Sequence, residues 1–317
     1  MSRALNRLVI FFAALSNTAC KTVIPVSEIK LVGGSPATLG QFPSVLIWTT
    51  NDNDIGSSFC TGAKVGPRFI LTAAHCVLQQ EPQTGQTYIG PWHRLPSLEN
   101  EKKIRFSQSL TIDMNAETHR LIVSRVHLHP HVERCLSQPR DTPEKDCIWR
   151  TPLPDIAVIE VKPTQVFSAI PATTISPEVV GPNLNVTILG YGSRGLGDTN
   201  PPQLRFHHAT VATKKSLQQV LRDTEADRDG RPNFGQFFGT LGALTGPDRS
   251  NLGSGDSGGP VFRNSDHSIV GVNSDGFCPL LDPECQSTTN SFFGRVDAAP
   301  PDKVWQWLNG IVASKAP

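Results

Sequence analysis

The sequence lacks several features that would assign it to common classes of protein. It has no block of basic residues, and 29 Lys and Arg against 28 Asp and Glu leave a formal net charge of only +1. There is therefore no electrostatic reason to expect nucleic acid as a partner. Charged residues make up 18% of the chain and apolar residues 38%, which excludes wholesale disorder. Beyond the N-terminal stretch no apolar run is long enough to span a membrane, and there is no internal repeat.

Glycine and proline, by contrast, are frequent, with 26 of each in 317 residues. Both favour turns, and short runs rich in β-forming residues recur between them. This pattern predicts an all-β fold built as a sandwich or as barrels. The predicted strands are residues 44–49, 68–72, 121–128, 156–161, 185–189, 204–212, 259–262 and 268–272.

The segments between these strands differ in character. Residues 79–103, 133–154 and 223–253 are predicted to be long loops. Near the C-terminus, Val304, Trp305, Leu308 and Ile311 follow a helical spacing after two prolines. This spacing predicts one amphipathic helix over residues 302–312.

The first twenty residues have the three-part layout of a secretory signal. Arg3 and Arg7 precede the apolar run 8–15, and small polar residues follow. We expect a signal peptide over residues 1–20, export, and an oxidising compartment. The residues before Cys20 read SNTA, which resembles a bacterial lipobox except at Asn17, where Leu is usual. Two alternatives remain: a bacterial lipoprotein attached to the outer membrane through lipidated Cys20, or ordinary signal cleavage and secretion.

Residues 253–260, which read GSGDSGGP, contain the strongest chemical motif in the chain. Glycines on both sides of Ser257 allow a tight turn that other residues would strain. Successive N–H groups in such a turn can converge on one point and stabilise an oxyanion. Ser257 is therefore a candidate nucleophile.

A serine hydroxyl needs a base, and two further strings supply candidates. His75 lies in LTAAHC (71–76), and a histidine can take the proton of a hydroxyl near neutral pH. Asp155 stands before the apolar run IAVIEV, where a buried carboxylate could orient an imidazole. Asp141 and Asp146 lie in the preceding loop, but neither leads into an apolar strand.

Together these strings resemble the trypsin-like, chymotrypsin-fold serine endopeptidases, which carry His, Asp and Ser in this order. The resemblance runs from about Leu31 to the terminal helix, so residues 31–317 form the predicted protease domain. It implies two six-stranded antiparallel β-barrels around a catalytic cleft, with a C-terminal α-helix. His75 and Asp155 would come from the first barrel and Ser257 from the second. The N–H groups of Gly255 and Ser257 would form the oxyanion hole of a monomeric enzyme that hydrolyses peptide bonds of proteins or peptides without a cofactor.

Residues 30–34, KLVGG, resemble the activation junction of the same family. Cleavage after Lys30 by an activating protease would free the amine of Leu31. In the family this amine pairs with the Asp before the nucleophile, here Asp256, because a buried carboxylate needs a cationic partner. The chain would then be a zymogen with a pro-segment over residues 21–30.

The resemblance also places the substrate pocket. Asn251, six residues before the nucleophile, would lie at the base of the primary pocket, where an Asp would select Lys or Arg. Residues 272–276, VNSDG, resemble the strand that pairs with substrate backbone, which gives Ser274, Asp275 and Gly276 a place beside the substrate. Asp275 replaces a usual aromatic residue. The preferred side chain of the substrate stays open.

Seven cysteines divide into six within the protease-like region and Cys20 outside it. The family implies a disulfide between Cys60 and Cys76 beside the catalytic His. The family's usual Cys four residues before the nucleophile is replaced by Gly253. Cys278 resembles the family partner of that missing cysteine, and we pair Cys278 with Cys285 instead. We also pair Cys135 with Cys147. Because six cysteines allow several connectivities, the last two pairs are weaker predictions.

Two clusters suggest metal binding, and we predict it for neither. Histidines 127, 129 and 131 alternate and would share one strand face, but no acidic or Cys ligand lies in register. Residues 225–230 resemble the first half of a calcium loop, yet Gln236 replaces the Glu that would complete it.

Two functions compete with proteolysis. One is a catalytically inactive binding module on the same fold, and the other is an esterase that uses the same triad. Covalent labelling of Ser257 by an organophosphonate would separate an enzyme from a binding module.

Overall fold

The computed structural model describes residues 34–49, 60–79, 93–94, 103–108, 116–136, 154–192, 202–211, 241–245, 252–253, 255–277, 290–297 and 304–313. In this part of the chain the strands are β1 Ser35–Pro36, β2 Val45–Thr49, β3 Cys60–Gly66, β4 Phe69–Thr72, β5 Leu78–Gln79, β6 His93–Arg94, β7 Lys103–Ser107, β8 Arg120–Leu128, β9 Ala157–Lys162, β10 Asn185–Gly190, β11 Arg205–Val211, β12 Leu241–Thr245, β13 Pro260–Arg263, β14 Ile269–Phe277 and β15 Asn290–Arg295. The α-helices are α1 Pro130–Leu136, α2 Gln165–Ala169 and α3 Val304–Ala313, and 3₁₀ turns span Ala74–Val77 and Glu117–His119. No helix among these residues is long and apolar enough to cross a membrane.

The first barrel is a closed antiparallel sheet in the order β2-β3-β4-β9-β8-β7. Strand β2, with the sequence VLIWT, shows how its core forms, since all five residues are buried. Successive side chains of a strand point to opposite faces. Leu46 and Trp48 therefore fill the first barrel's own core, while Val45 and Ile47 face the second half of the molecule.

The second barrel contains six strands joined in a ring. Its sheet runs β1-β11-β10-β13-β14-β15-β12, and an additional pairing of β11 with β12 closes the ring, with β1 attached outside it. The core of this barrel includes Val186, Ile188, Val261, Val270 and Phe293. The all-β prediction of two six-stranded antiparallel barrels is confirmed.

A shared apolar cluster packs the two barrels and the terminal helix together. It combines Val45, Ile47, Phe69 and Leu71 of the first barrel with Leu189, Phe262 and Val272 of the second. Helix α3 adds Val304 and Leu308, with Trp307 and Ile311 partly buried beside them. The predicted amphipathic terminal helix is confirmed. Because apolar burial drives this packing, the cluster sets the relative position of the residues between the barrels.

Three predicted loops contain regular structure. The loop predicted over 133–154 begins inside α1, the loop 79–103 contains β6, and the loop 223–253 contains β12. Strand β12 reads LGALT, a weak β-former. It pairs with β15 on one side and β11 on the other, so tertiary hydrogen bonds impose the strand that its composition does not indicate.

Lys64 of β3 is a buried cation that ties α2 to the first barrel. Its Nζ donates hydrogen bonds to the carbonyl oxygens of Phe167, Ser168 and Ile170, at 2.8, 3.3 and 2.6 Å. Burial lowers the pKa of Lys64. These bonds satisfy carbonyls at the end of α2, where a positive charge is favoured.

Candidate active site

His75 lies in the 3₁₀ turn Ala74–Val77, which is separated from the end of β4 by one residue. Ala74 and Val77 are buried in the first barrel's core, whereas the His75 side chain is 23% exposed. A disulfide joins Cys76 to Cys60 at the start of β3. Buried residues and the disulfide thus hold the turn on both sides of His75, while the imidazole of His75 stays accessible.

Asp155 holds His75 by two contacts. The backbone N–H of His75 donates to Asp155 Oδ1 at 2.9 Å, and its Nδ1 lies 2.7 Å from Asp155 Oδ2. Asp155 is fully buried. Since a carboxylate accepts hydrogen bonds, Nδ1 carries the proton and Nε2 is left as the basic nitrogen.

Ser274 provides a third donor to this carboxylate. Its hydroxyl donates to Asp155 Oδ2 at 2.6 Å, across 119 residues of sequence. The β14–β15 register shifts between Asn273 and Asp275, and such bulges re-aim a side chain. The motif VNSDG predicts Ser274 beside the substrate, but it carries no signal for this contact with Asp155.

The turn around Ser257 uses two glycines in left-handed backbone conformations, with φ of 95° at Gly255 and 83° at Gly258. The carbonyl of Ser257 accepts from the N–H of Thr61 at 2.9 Å, and the N–H of Gly258 donates to Asn273 at 2.8 Å. A side chain at Gly258 would overlap Thr72 and the backbone around it. The structure therefore places the turn of Ser257 against the residues just before His75.

Asp256 is fully buried and accepts two backbone hydrogen bonds. Gly192 N–H donates to Oδ1 and Gly253 N–H to Oδ2, each at 2.8 Å. A side chain at Gly190 or Gly192 would overlap the carboxylate, so both positions require glycine. Gly190 pairs with Arg205, whose guanidinium binds the carbonyl of Gly34. Gly34 is thus bound by the residue that pairs with Gly190, and Gly190 lies against the Asp256 carboxylate.

The remaining predicted site residues are only partly described. Asp275 and Gly276 lie on β14, opposite Phe292 and Ser291 of β15. Lys30, Leu31, Cys20, Asn251, Cys147, Cys278, Cys285, the side chain of Cys135 and the acidic segment 223–236 lie outside the described residues.

The three histidines do not share a strand face, because only His127 belongs to β8 while His131 lies in α1. Their rings have other partners. His127 Nε2 lies 2.9 Å from Glu160 Oε2, and His131 Nδ1 lies 2.8 Å from Arg134. Within the described residues no group of three His, Cys, Asp or Glu could hold a metal ion.

Removing the Cys60–Cys76 disulfide should destabilise the protein. The bond spans 16 residues, so changing both cysteines to alanine should lower the free energy of unfolding by about 3 kcal/mol through loop entropy. Urea unfolding of the double variant measures this loss. Each single variant should lose about as much, and a double variant with a wild-type midpoint would contradict the expectation.

The comparisons with known proteins agree with this geometry. The family model described as Trypsin matches residues 31–299. The chain therefore belongs to the trypsin family, and it is a serine endopeptidase by that membership.

Among curated proteins the chain is similar to trypsin, alkaline B, of Manduca sexta, 28% identical over 273 residues that cover 84% of this chain and 89% of the relative. It is also similar to the venom peptide isomerase heavy chain of Agelenopsis aperta, 24% identical with 78% and 89% covered. Melanization protease 1 of Drosophila melanogaster is 23% identical, with 79% and 60% covered. These animal relatives give no support to the predicted bacterial source or lipoprotein signal.

The fold is shared with solved structures, including the following two. The scabies mite inactivated protease paralogue has a TM-score of 0.59 at 18% identity, covering 90% of this chain and 99% of that one. A mutant of human heparin binding protein has a TM-score of 0.57 at 18% identity, covering 90% and 98%. One of these neighbours is named as inactivated, so this likeness shows the fold alone.

Proposed function

We propose that this chain is an exported, monomeric serine endopeptidase that hydrolyses peptide bonds of proteins or peptides through an acyl-enzyme on Ser257. The observation that carries the proposal is the His75–Asp155 pair, held by two contacts, together with a Ser257 turn that bonds Thr61 and lies against Thr72, three residues before His75. This arrangement supplies a nucleophile, a base and a group that orients the base.

Each residue has a step in the reaction. Ser257 Oγ attacks the scissile carbonyl while His75 Nε2 takes its proton, and Asp155 stabilises the imidazolium that forms. The N–H groups of Gly255 and Ser257 stabilise the oxyanion. His75 then gives its proton to the leaving amine, and water releases the acyl group by the same steps in reverse.

The substrate would lie along β14. Its backbone would pair near Ser274, Asp275 and Gly276 as an added strand, and Asn251 would form the base of the primary pocket. In this arrangement Ser274 links substrate and triad, because its hydroxyl already binds Asp155.

Export and activation are part of the same proposal. The signal 1–20 would be removed, and an activating protease would cleave after Lys30. The new amine of Leu31 would pair with Asp256. Support comes from the burial of Asp256 and from the position of Gly34, which binds Arg205 beside Gly190. A lipid on Cys20 is the alternative to secretion, and the mass of the mature N-terminus distinguishes the two.

A variant at Lys30 tests activation. Immobilised lysyl endopeptidase should convert the wild type to a form that begins at Leu31, with turnover of a peptide p-nitroanilide library rising at least about a hundredfold as the oxyanion hole forms. Lys30→Gln should stay uncleaved at this bond and inactive, whereas the control Lys21→Gln should activate normally. N-terminal sequencing and turnover measure both effects.

Two outcomes would contradict this proposal. One is a wild-type chain that begins at Leu31 and hydrolyses no member of the library. The other is Lys30→Gln protein that remains intact at residue 30 and yet turns over peptides at the rate of the activated wild type.

A further inference from the structure

Thr61, the second residue of β3, lies where the two barrels meet. It is fully buried, and its contacts reach residues 130 and 194 positions away in sequence. None of the sequence motifs described above includes Thr61.

The hydroxyl of Thr61 connects two segments of the second barrel. It accepts a hydrogen bond from Tyr191 N–H at 3.0 Å and donates one to the carbonyl of Gly255 at 2.7 Å. A hydroxyl is suited to this bridge because it offers a donor and an acceptor on one atom. A methyl group of the same size offers neither.

The backbone of Thr61 extends the bridge to both catalytic segments. Its N–H donates to the carbonyl of Ser257 at 2.9 Å. Its carbonyl accepts from the hydroxyl of Thr72 at 3.0 Å, three residues before His75. The contacts of this residue thus reach the carbonyls of Gly255 and Ser257 and the end of β4, the strand that leads to His75.

The other end of the bridge is fixed. The Tyr191 ring is buried in the cluster between the barrels, and its hydroxyl donates to the carbonyl of Gln108. Burial raises the pKa of Tyr191, so the hydroxyl stays protonated. Tyr191 is therefore a rigid anchor from which the Thr61 hydroxyl can hold Gly255.

The turn from Gly255 to Gly259 needs such an anchor. No cysteine occurs between residues 253 and 277, so no disulfide fixes the turn from within that stretch. Glycine at 255, 258 and 259 leaves its backbone intrinsically free. Hydrogen bonds to neighbouring segments must then select the conformation in which its N–H groups converge.

We propose that Thr61 is a positioning residue for catalysis, whose hydroxyl holds the oxyanion-forming turn in its productive conformation. The inference rests on the proposed function, in which the N–H groups of Gly255 and Ser257 stabilise the oxyanion. Without the hydroxyl, the Gly255 carbonyl and the Tyr191 N–H are buried and lose a hydrogen bond. The turn can then shift to find other partners, which displaces the N–H groups that the transition state needs.

Thr61→Val removes the hydroxyl at nearly constant volume. In activated protein we expect kcat on a peptide p-nitroanilide to fall about tenfold to hundredfold, as for small misplacements of catalytic groups. KM should change by less than about threefold, because substrate binds before the oxyanion forms. The rate of labelling by a fluorophosphonate should fall with kcat.

Two matched variants separate positioning from general stability. Thr61→Ser keeps the hydroxyl and should restore most of kcat. Thr187→Val removes another buried hydroxyl, one that bonds Asn264 in the second barrel away from the turn, and should leave kcat unchanged. If Thr61→Val cannot be recovered folded, Thr61→Ala takes its place.

Several results would overturn the inference. They are wild-type kcat in Thr61→Val, an equal loss in Thr61→Ser, an equal loss in Thr187→Val, or failure of both Thr61→Val and Thr61→Ala to fold. A wild-type protein that shows no turnover after cleavage at Lys30 would instead overturn the proposed function itself.

Discussion

Changing Ser257 to alanine should lower kcat for peptide hydrolysis by about a millionfold, the size of effect that loss of a serine nucleophile produces in such triads. His75 and the oxyanion N–H groups would remain, but they would have no hydroxyl to activate. Only slow hydrolysis by bound water would be left. The measurement is turnover of a peptide p-nitroanilide by activated protein, with the free energy of unfolding measured in parallel.

Ser268→Ala is the control for this change. Ser268 is a buried serine of the second barrel, and its hydroxyl donates to Asp266 rather than to His75 or Asp155. It should retain wild-type kcat. A Ser257→Ala protein that keeps more than about a hundredth of wild-type turnover would show that the hydrolysis comes from elsewhere.

Changing Asp155 to asparagine should lower kcat about ten-thousandfold while the site keeps its shape. The carboxylate now accepts from the His75 backbone, from Nδ1 and from Ser274. An amide group cannot accept on both of its heavy atoms. If the NH₂ group of the new asparagine faces the imidazole, Nδ1 must accept its hydrogen bond. The ring proton of His75 then lies on Nε2, and His75 can no longer act as a base.

Asp297→Asn is the matched control. Asp297 is also buried, and it binds the N–H of Val180 and the side chain of Arg295 away from the triad. This variant should lose stability with little change in kcat at low temperature. If Asp155→Asn kept kcat within about tenfold of wild type, Asp155 would not be the residue that orients His75.

The all-β class was predictable from local signals, whereas the arrangement in two six-stranded barrels was implied by the family resemblance. Short strands between turns indicated an all-β chain, and the terminal helix followed from spacing. Four barrel strands, β3, β7, β12 and β15, were not predicted. Strand β12 shows one reason, because its ladder partners, not its residues, impose it. The helical start of the loop after β8 was missed because the alternating histidines favoured a continued strand, whereas His131 belongs to α1.

Residues of the candidate site were predictable where a short contiguous sequence motif contains them. The strings around His75, Asp155 and Ser257 are such cases, and the structure brings the first two within hydrogen-bond distance. Ser274 and Thr61 act through partners 119 and 194 residues away, so no local pattern marks those contacts. These long-range contacts form only when the two barrels pack against each other.

The central claim is that Ser257 is the nucleophile of a working triad, and covalent labelling tests it most directly. Activated wild-type protein should react with a fluorophosphonate and carry a single adduct, which peptide mass spectrometry locates on Ser257. The variants Ser257→Ala and His75→Ala should stay unlabelled under the same conditions. An unlabelled wild type that begins at Leu31, or an adduct on another residue, would contradict the claim.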